Sequence, residues 1–61
     1  MMIPEDPNML LSYVNLKLRD YYPNLEAMCD DLDISLTETE AKINGIGYVY
    51  DRQTNQFVYG K

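Results

Sequence analysis

A chain of 61 residues carrying ten Asp and Glu against five Lys and Arg, a formal charge of −5, rules out much before any motif is read. It is too short for more than one domain, and such a domain buries only roughly 60% of the surface its unfolded chain exposes, which leaves little room for a deep active site. Hydrophobic residues at 46% and charged residues at 25% are the balance of a folded domain, not a disordered tail, while the surplus acid repels nucleic acid and anionic lipid.

Asp6-Pro7 starts the first helix. The Asp side chain can accept from the free amides of the first turn, and proline at the first helical position gives up an N–H that had no partner there. Helix 1 is expected from about Pro7 to Tyr21, with Leu10, Leu11, Val14 and Leu18 recurring at three- and four-residue spacing as one apolar stripe. Pro23 disfavours helical geometry in Tyr22 and so ends it. Asn24 can then cap a second helix from Leu25 to about Leu32, whose inward face is Leu25, Met28, Cys29 and Leu32.

The turn Asp33-Ile34-Ser35 places Ile34 as an apolar plug between helices. Ser35 followed three residues later by Glu38 is a capping box that opens helix 3, expected from Leu36 to about Asn44 with Leu36, Ala41 and Ile43 facing inward. Gly45 can take the left-handed conformation that closes it. After Gly47 the period drops to two: Tyr48-Val49-Tyr50 and Phe57-Val58-Tyr59 flank a polar DRQTNQ loop in which Asn55 suits a left-handed turn position. This is a hairpin over about 48–59. Either Val49 and Val58 or the alternate tyrosines must pack on the helices, because an isolated two-stranded hairpin is barely stable. The expectation is an α+β, mostly α, single domain: three helices in a helix-turn-helix-like frame with a C-terminal hairpin wing.

The chemistry-bearing residues are few. Cys29, among apolar positions and without a histidine or nearby cation to lower its pKa, reads as a small buried hydrophobe rather than a nucleophile. Asp31, Asp33, Ser35, Thr37 and Thr39 have the alternate spacing of a calcium loop, but Leu36 stands where the turn glycine is needed and Lys42 where the bidentate glutamate is needed. Asp30 and Asp31, adjacent on a helix, do not face the same way and make no acid–base pair. No catalytic residue, metal or cofactor is expected, and no small-molecule substrate.

Asn24 to Gly47 has the frame of two short helices and a three-residue turn. Met28-Cys29, Leu32-Asp33-Ile34-Ser35 and Ile43-Asn44-Gly45-Ile46 resemble the helix-turn-helix superfamily, with Asp33 in place of the usual turn glycine and Thr39 and Lys42 at positions usually apolar. The whole chain, through MIPEDPNMLLSYVNLKLRDYY, CDDLDIS and IGYVYDRQTNQFV, also resembles a small bacterial family, domain of unknown function 4250. That second resemblance covers nearly all of the chain and implies no activity.

Used on DNA, this frame would present Thr37 and Lys42 from helix 3 and Arg52 and Gln53 from the wing. Two cations at a net charge of −5 are too few for a duplex at physiological salt, so DNA binding is kept as the first alternative, requiring a basic partner or a dimer, with an enzyme, which would need a cleft, a distant second. The favoured expectation is a non-catalytic protein interaction or accessory module. Its candidate interface is Tyr13, Tyr48, Tyr50, Tyr59 and Phe57, since six tyrosines are many for this length and tyrosine suits a surface apolar in its ring and polar at its tip. A protein partner or a homodimer fits that surface. The N-terminus lacks a basic n-region and no run of about 18 apolar residues occurs, so the expected setting is soluble and cytoplasmic, with no membrane role.

Overall fold

The computed structural model describes residues 3–60. Three helices, α1 (Pro7–Asp20), α2 (Leu25–Leu32) and α3 (Leu36–Asn44), are followed by strands β1 (Tyr48–Asp51) and β2 (Gln56–Tyr59). The strands pair antiparallel in the register Tyr48↔Tyr59, Val49↔Val58, Tyr50↔Phe57 and Asp51↔Gln56. The chain is thus α+β and mostly helical.

Each helix begins where a side chain can accept its first free amides. Asp6 accepts from the N–H of Met9 (3.1 Å), Asn24 from that of Ala27 (2.7 Å) and Ser35 from that of Glu38 (3.1 Å), caps each worth about 1 kcal/mol. At its other end α1 stops at Asp20, one residue before the expected Tyr21. The N–H groups of Tyr21 and Tyr22 both turn back to the Lys17 carbonyl (2.8 and 3.1 Å), closing the helix before Pro23.

The end of α2 is built on a non-glycine residue with positive φ. Asp33 adopts the left-handed conformation at φ 58°, its N–H reaches the Asp30 carbonyl (3.3 Å), and the next N–H, of Ile34, reaches the Cys29 carbonyl (3.0 Å). These are the paired bonds of a Schellman closure, and aspartate is among the few non-glycine residues that tolerate that backbone. Gly45, by contrast, is not left-handed. It continues helical geometry at φ −62°, and the positive φ falls two residues later at Gly47, φ 93°. One more turn of backbone bonding, from Ile46 to Ile43 and from Gly47 to Asn44, carries the helix past Gly45 before the chain reverses into β1.

One apolar cluster holds these elements: Leu10, Val14 and Leu18 of α1, Leu25, Met28 and Cys29 of α2, Ile43 of α3 and Phe57 of β2. Ile34 packs on it as the expected plug, and Leu32 and Leu36 are half-buried against it. Ala41 is a correction, because it points to solvent while Thr39, only 6% exposed, takes the inward position on α3. The hairpin faces also resolve. Tyr50 and Phe57, directly paired and with ring centroids 5.5 Å apart, turn toward the helices, so Val49 and Val58 occupy the opposite, outward face.

Candidate interaction surface

The DRQTNQ loop and the start of β2 join the hairpin to the helices through polar contacts. The Asn15 carboxamide lies against Phe57 as a strand would: Nδ2 donates to the Phe57 carbonyl (3.0 Å) and Oδ1 accepts from the Phe57 N–H (2.7 Å). Gln56 Nε2 donates to the Asn15 carbonyl (2.9 Å). Asn55, left-handed at φ 56° as its residue type allows, donates through Nδ2 to the carbonyls of Leu18 and Tyr22 (both 2.9 Å). Its Oδ1 accepts from the Tyr50 hydroxyl (2.6 Å), which itself accepts from the Leu25 N–H (3.2 Å). Asn55 therefore ties the end of α1 and the turn after it to the hairpin, and the Tyr50 hydroxyl carries the connection on to the start of α2.

These contacts decide which expected interface residues remain available. Phe57, 2% exposed, belongs to the core and is withdrawn from the surface. A β2 residue facing inward opposite Tyr50 has no other place to go. Tyr50 is half-buried and its hydroxyl is committed at both ends. Tyr13 packs on the core with the Lys17 ammonium 5.4 Å from its ring centroid. Tyr48 is half-buried and meets the Tyr59 ring edge-on at 5.5 Å. Tyr59 itself is 63% exposed, its ring lying over Gly47, where an added Cβ would meet it at 3.0 Å.

What residue spacing left undecided is the outward face. Val49 and Val58, opposite each other across the strands, are 45% and 38% exposed. The signal was present in the alternation: both faces of this hairpin are apolar, and the helices of one small domain can cover only one of them. Beside it an open groove of about 420 Å³ runs between α1 and the hairpin, lined by Leu11, Asn15, Leu16, Tyr48 and Gln56. A smaller recess of about 180 Å³ sits between the N-terminal segment and α3, with Ile3, Leu10, Ile34, Thr39 and Lys42 on its walls.

The residues expected on DNA, Thr37, Lys42, Arg52 and Gln53, are all exposed. Thr37 and Lys42, five residues apart on α3, stand about 140° apart around its axis, and Glu38 lies one turn before Lys42 on the same side. Arg52 is already engaged: Nη1 and Nη2 donate to the two carboxylate oxygens of Glu26, and the guanidinium lies 5.5 Å from the Tyr50 ring centroid. Glu26 is held below its ordinary pKa first by that hydrogen bond. The Gln53 backbone N–H donates to Asp51 Oδ1 (3.0 Å) within the loop. On α1, Arg19 pairs with Asp20 (3.0 Å), and Lys17 also sits 4.8 Å over the Tyr21 ring.

Cys29 lies in the core. Burial pushes its thiol above the ordinary range, with a side-chain hydrogen bond from Thr39 pulling the other way. No helix among the described residues is long and apolar enough to cross a membrane.

A family model described as Domain of unknown function (DUF4250) matches residues 4–57, a span that takes in all three helices, β1 and the start of β2. No curated protein and no solved structure matches the chain.

Proposed function

The chain belongs to the DUF4250 family, and from that premise we propose that it is a non-catalytic protein interaction or accessory module whose contact surface is the outward side of the hairpin. The observation that carries this reading is the Val49–Val58 pair: two β-branched side chains, cross-strand neighbours, 45% and 38% exposed on the one sheet face the helices do not cover. An apolar pair on the open face of a thin sheet gains by being removed from water, at about 25 cal/mol for each Å² covered. A non-catalytic role is supported by Cys29, whose thiol is buried and held protonated, the opposite of an activated nucleophile. The acidic charge of −5 keeps so small a domain dispersed in what we take to be a cytoplasmic setting.

The rival is a helix-turn-helix regulator that reaches DNA with a basic partner. It is weakened by Arg52, the wing cation it needs, which is paired with Glu26 and stacked near Tyr50. The two readings separate in one pair of experiments. A photo-crosslinking residue at position 58 is expected to yield protein adducts in cells, while the same residue at Asp30, on the exposed acidic side of α2, yields none. In parallel, the purified chain is run with duplex DNA at low salt. Absence of adducts at 58, together with a DNA shift that fades as salt is added, would overturn the interaction reading in favour of the regulator.

A further inference from the structure

We propose that β1 pairs with β1 of a second copy of this chain, antiparallel about Val49, to make a continuous four-stranded sheet. This rests on the interaction reading above and names the partner.

The hydrogen-bond phase of the hairpin sets its two edges apart. The Gly60 N–H donates to the Gly47 carbonyl (2.8 Å), one step beyond the Tyr48↔Tyr59 pair. In an antiparallel ladder bonded and non-bonded pairs alternate, so Val49↔Val58 and Asp51↔Gln56 exchange bonds inside the hairpin. Tyr48, Tyr50, Phe57 and Tyr59 turn their N–H and C=O groups outward. The two edges then differ. On β2 the outward groups of Phe57 are taken by Asn15 at 2.7 and 3.0 Å. On β1 no hydrogen bond among the described residues reaches the backbone N–H or C=O of Tyr48 or Tyr50. Four backbone groups on one short edge are left for water or for another strand.

That edge is self-complementary. With Val49 on the two-fold axis, Tyr48 of one copy stands opposite Tyr50 of the other, and the two Tyr48/Tyr50 pairs close four N–H···O bonds. On the outward face Val49 meets Val49 with Cβ atoms about 5 Å apart, so Val58, Val49 and their two counterparts form one apolar stripe across the sheet. The same register sets Asp51 opposite Gly47, which keeps like charges from facing each other at the seam, and Arg52 remains with Glu26 of its own copy. Two chains of charge −5 repel at long range, and four-residue strands make a contact well under the roughly 1,200 Å² of a tight complex. The pairing is therefore weak, and unlike most polar contacts it strengthens with salt, because salt screens the repulsion.

Sedimentation equilibrium of the intact chain, from about 10 µM to about 1 mM and at low and high salt, reads this directly. The expected result is a mass that rises from one chain toward two with concentration, more steeply at high salt, while amide exchange slows at Tyr48 and Tyr50 but not at Tyr59. Val49→Lys places two ammonium groups across the axis and is expected to hold the chain monomeric. Val58→Lys, on the same face but one strand away from the seam, is expected to keep the dimer, with circular dichroism checking that both variants fold. A single-chain mass throughout, or equal loss of the dimer in both variants, would overturn the edge pairing. If the chain stays monomeric while position 58 still crosslinks to other proteins, self-pairing has failed and the interaction reading stands. Loss of both rejects both.

Discussion

Asn15, in the middle of α1, completes the edge of β2 by bonding both backbone groups of Phe57, the N–H at 2.7 Å and the carbonyl at 3.0 Å. A helix side chain thus stands in for a third strand on one side of the hairpin, and the sheet cannot grow in that direction. The contact also sets how the hairpin sits on the bundle. With Phe57 held at its edge by α1, its ring enters the apolar core that Leu10, Val14 and Leu18 of that helix also join.

Replacing Asn15 with Leu is expected to leave both Phe57 groups without partners and to lower stability by about 2–6 kcal/mol, since each unsatisfied group costs about 1–3 kcal/mol when desolvated. Asn15→Asp is the sharper variant: it can still accept from the N–H, but it sets a carboxylate oxygen against the Phe57 carbonyl. Urea titration should place both below the parent in midpoint with little change in slope. An Asn15→Leu midpoint equal to the parent would mean that water replaces the carboxamide without loss.

Asn55 combines a left-handed backbone with three side-chain hydrogen bonds, and the two contributions can be separated. Asn55→Gly keeps the conformation and loses the bonds. Asn55→Ala loses the bonds and adds a left-handed penalty of about 1–2 kcal/mol. Both should be destabilised, Ala more than Gly by about that difference, in thermal or chemical unfolding. Tyr50→Phe removes the hydroxyl between Leu25 and Asn55 and should cost about 1–3 kcal/mol.

The two glycines that follow α3 should respond with opposite sign. Gly45 is helical at φ −62°, a backbone alanine adopts without strain, so Gly45→Ala is expected to stabilise by about 0.4–1 kcal/mol through the unfolded chain, less the cost of easing the Lys42 carbonyl, 3.3 Å from the added Cβ. Gly47→Ala meets a positive φ and the Tyr59 ring at 3.0 Å and should lose at least about 1 kcal/mol. Melting temperatures of the two variants check the contrast.

The Cys29 thiol titrates higher in the folded chain than in the unfolded one, because burial disfavours the thiolate. Below the ordinary thiol pKa of about 8.5 both states are protonated and the group contributes nothing that changes with pH. Above it the unfolded chain releases its proton first, so stability falls as pH rises until the folded thiol also ionises. Cys29→Ala should remove that alkaline decline, at the cost of a smaller core residue, and a thiol reagent should label the native parent only at the rate of opening. Rapid stoichiometric labelling of folded protein would contradict the buried position.

Local chemistry alone determined the helices and the hairpin. Asp6, Asn24 and Ser35 begin helices because each precedes a free N–H it can accept from, Pro23 interrupts the chain wherever it lies, and the change of period at Tyr48 reports strands regardless of what they pack on. The acidic charge was equally legible, being a property of composition. Tertiary structure decided the rest, because each remaining choice depends on groups distant in sequence. Which hairpin face turns inward is settled by Asn15 reaching Phe57 across 42 residues, and Asn55 becomes a tie only when Leu18 and Tyr22 are brought to it. The positive φ passes from Gly45 to Gly47 because α3 gains a further turn before β1 docks. Thr39, not Ala41, lies inward because the angle of α3 against the bundle selects its buried side. Phe57 looked like surface beside its tyrosine neighbours, and only the closed core shows that its ring fills the space between helices.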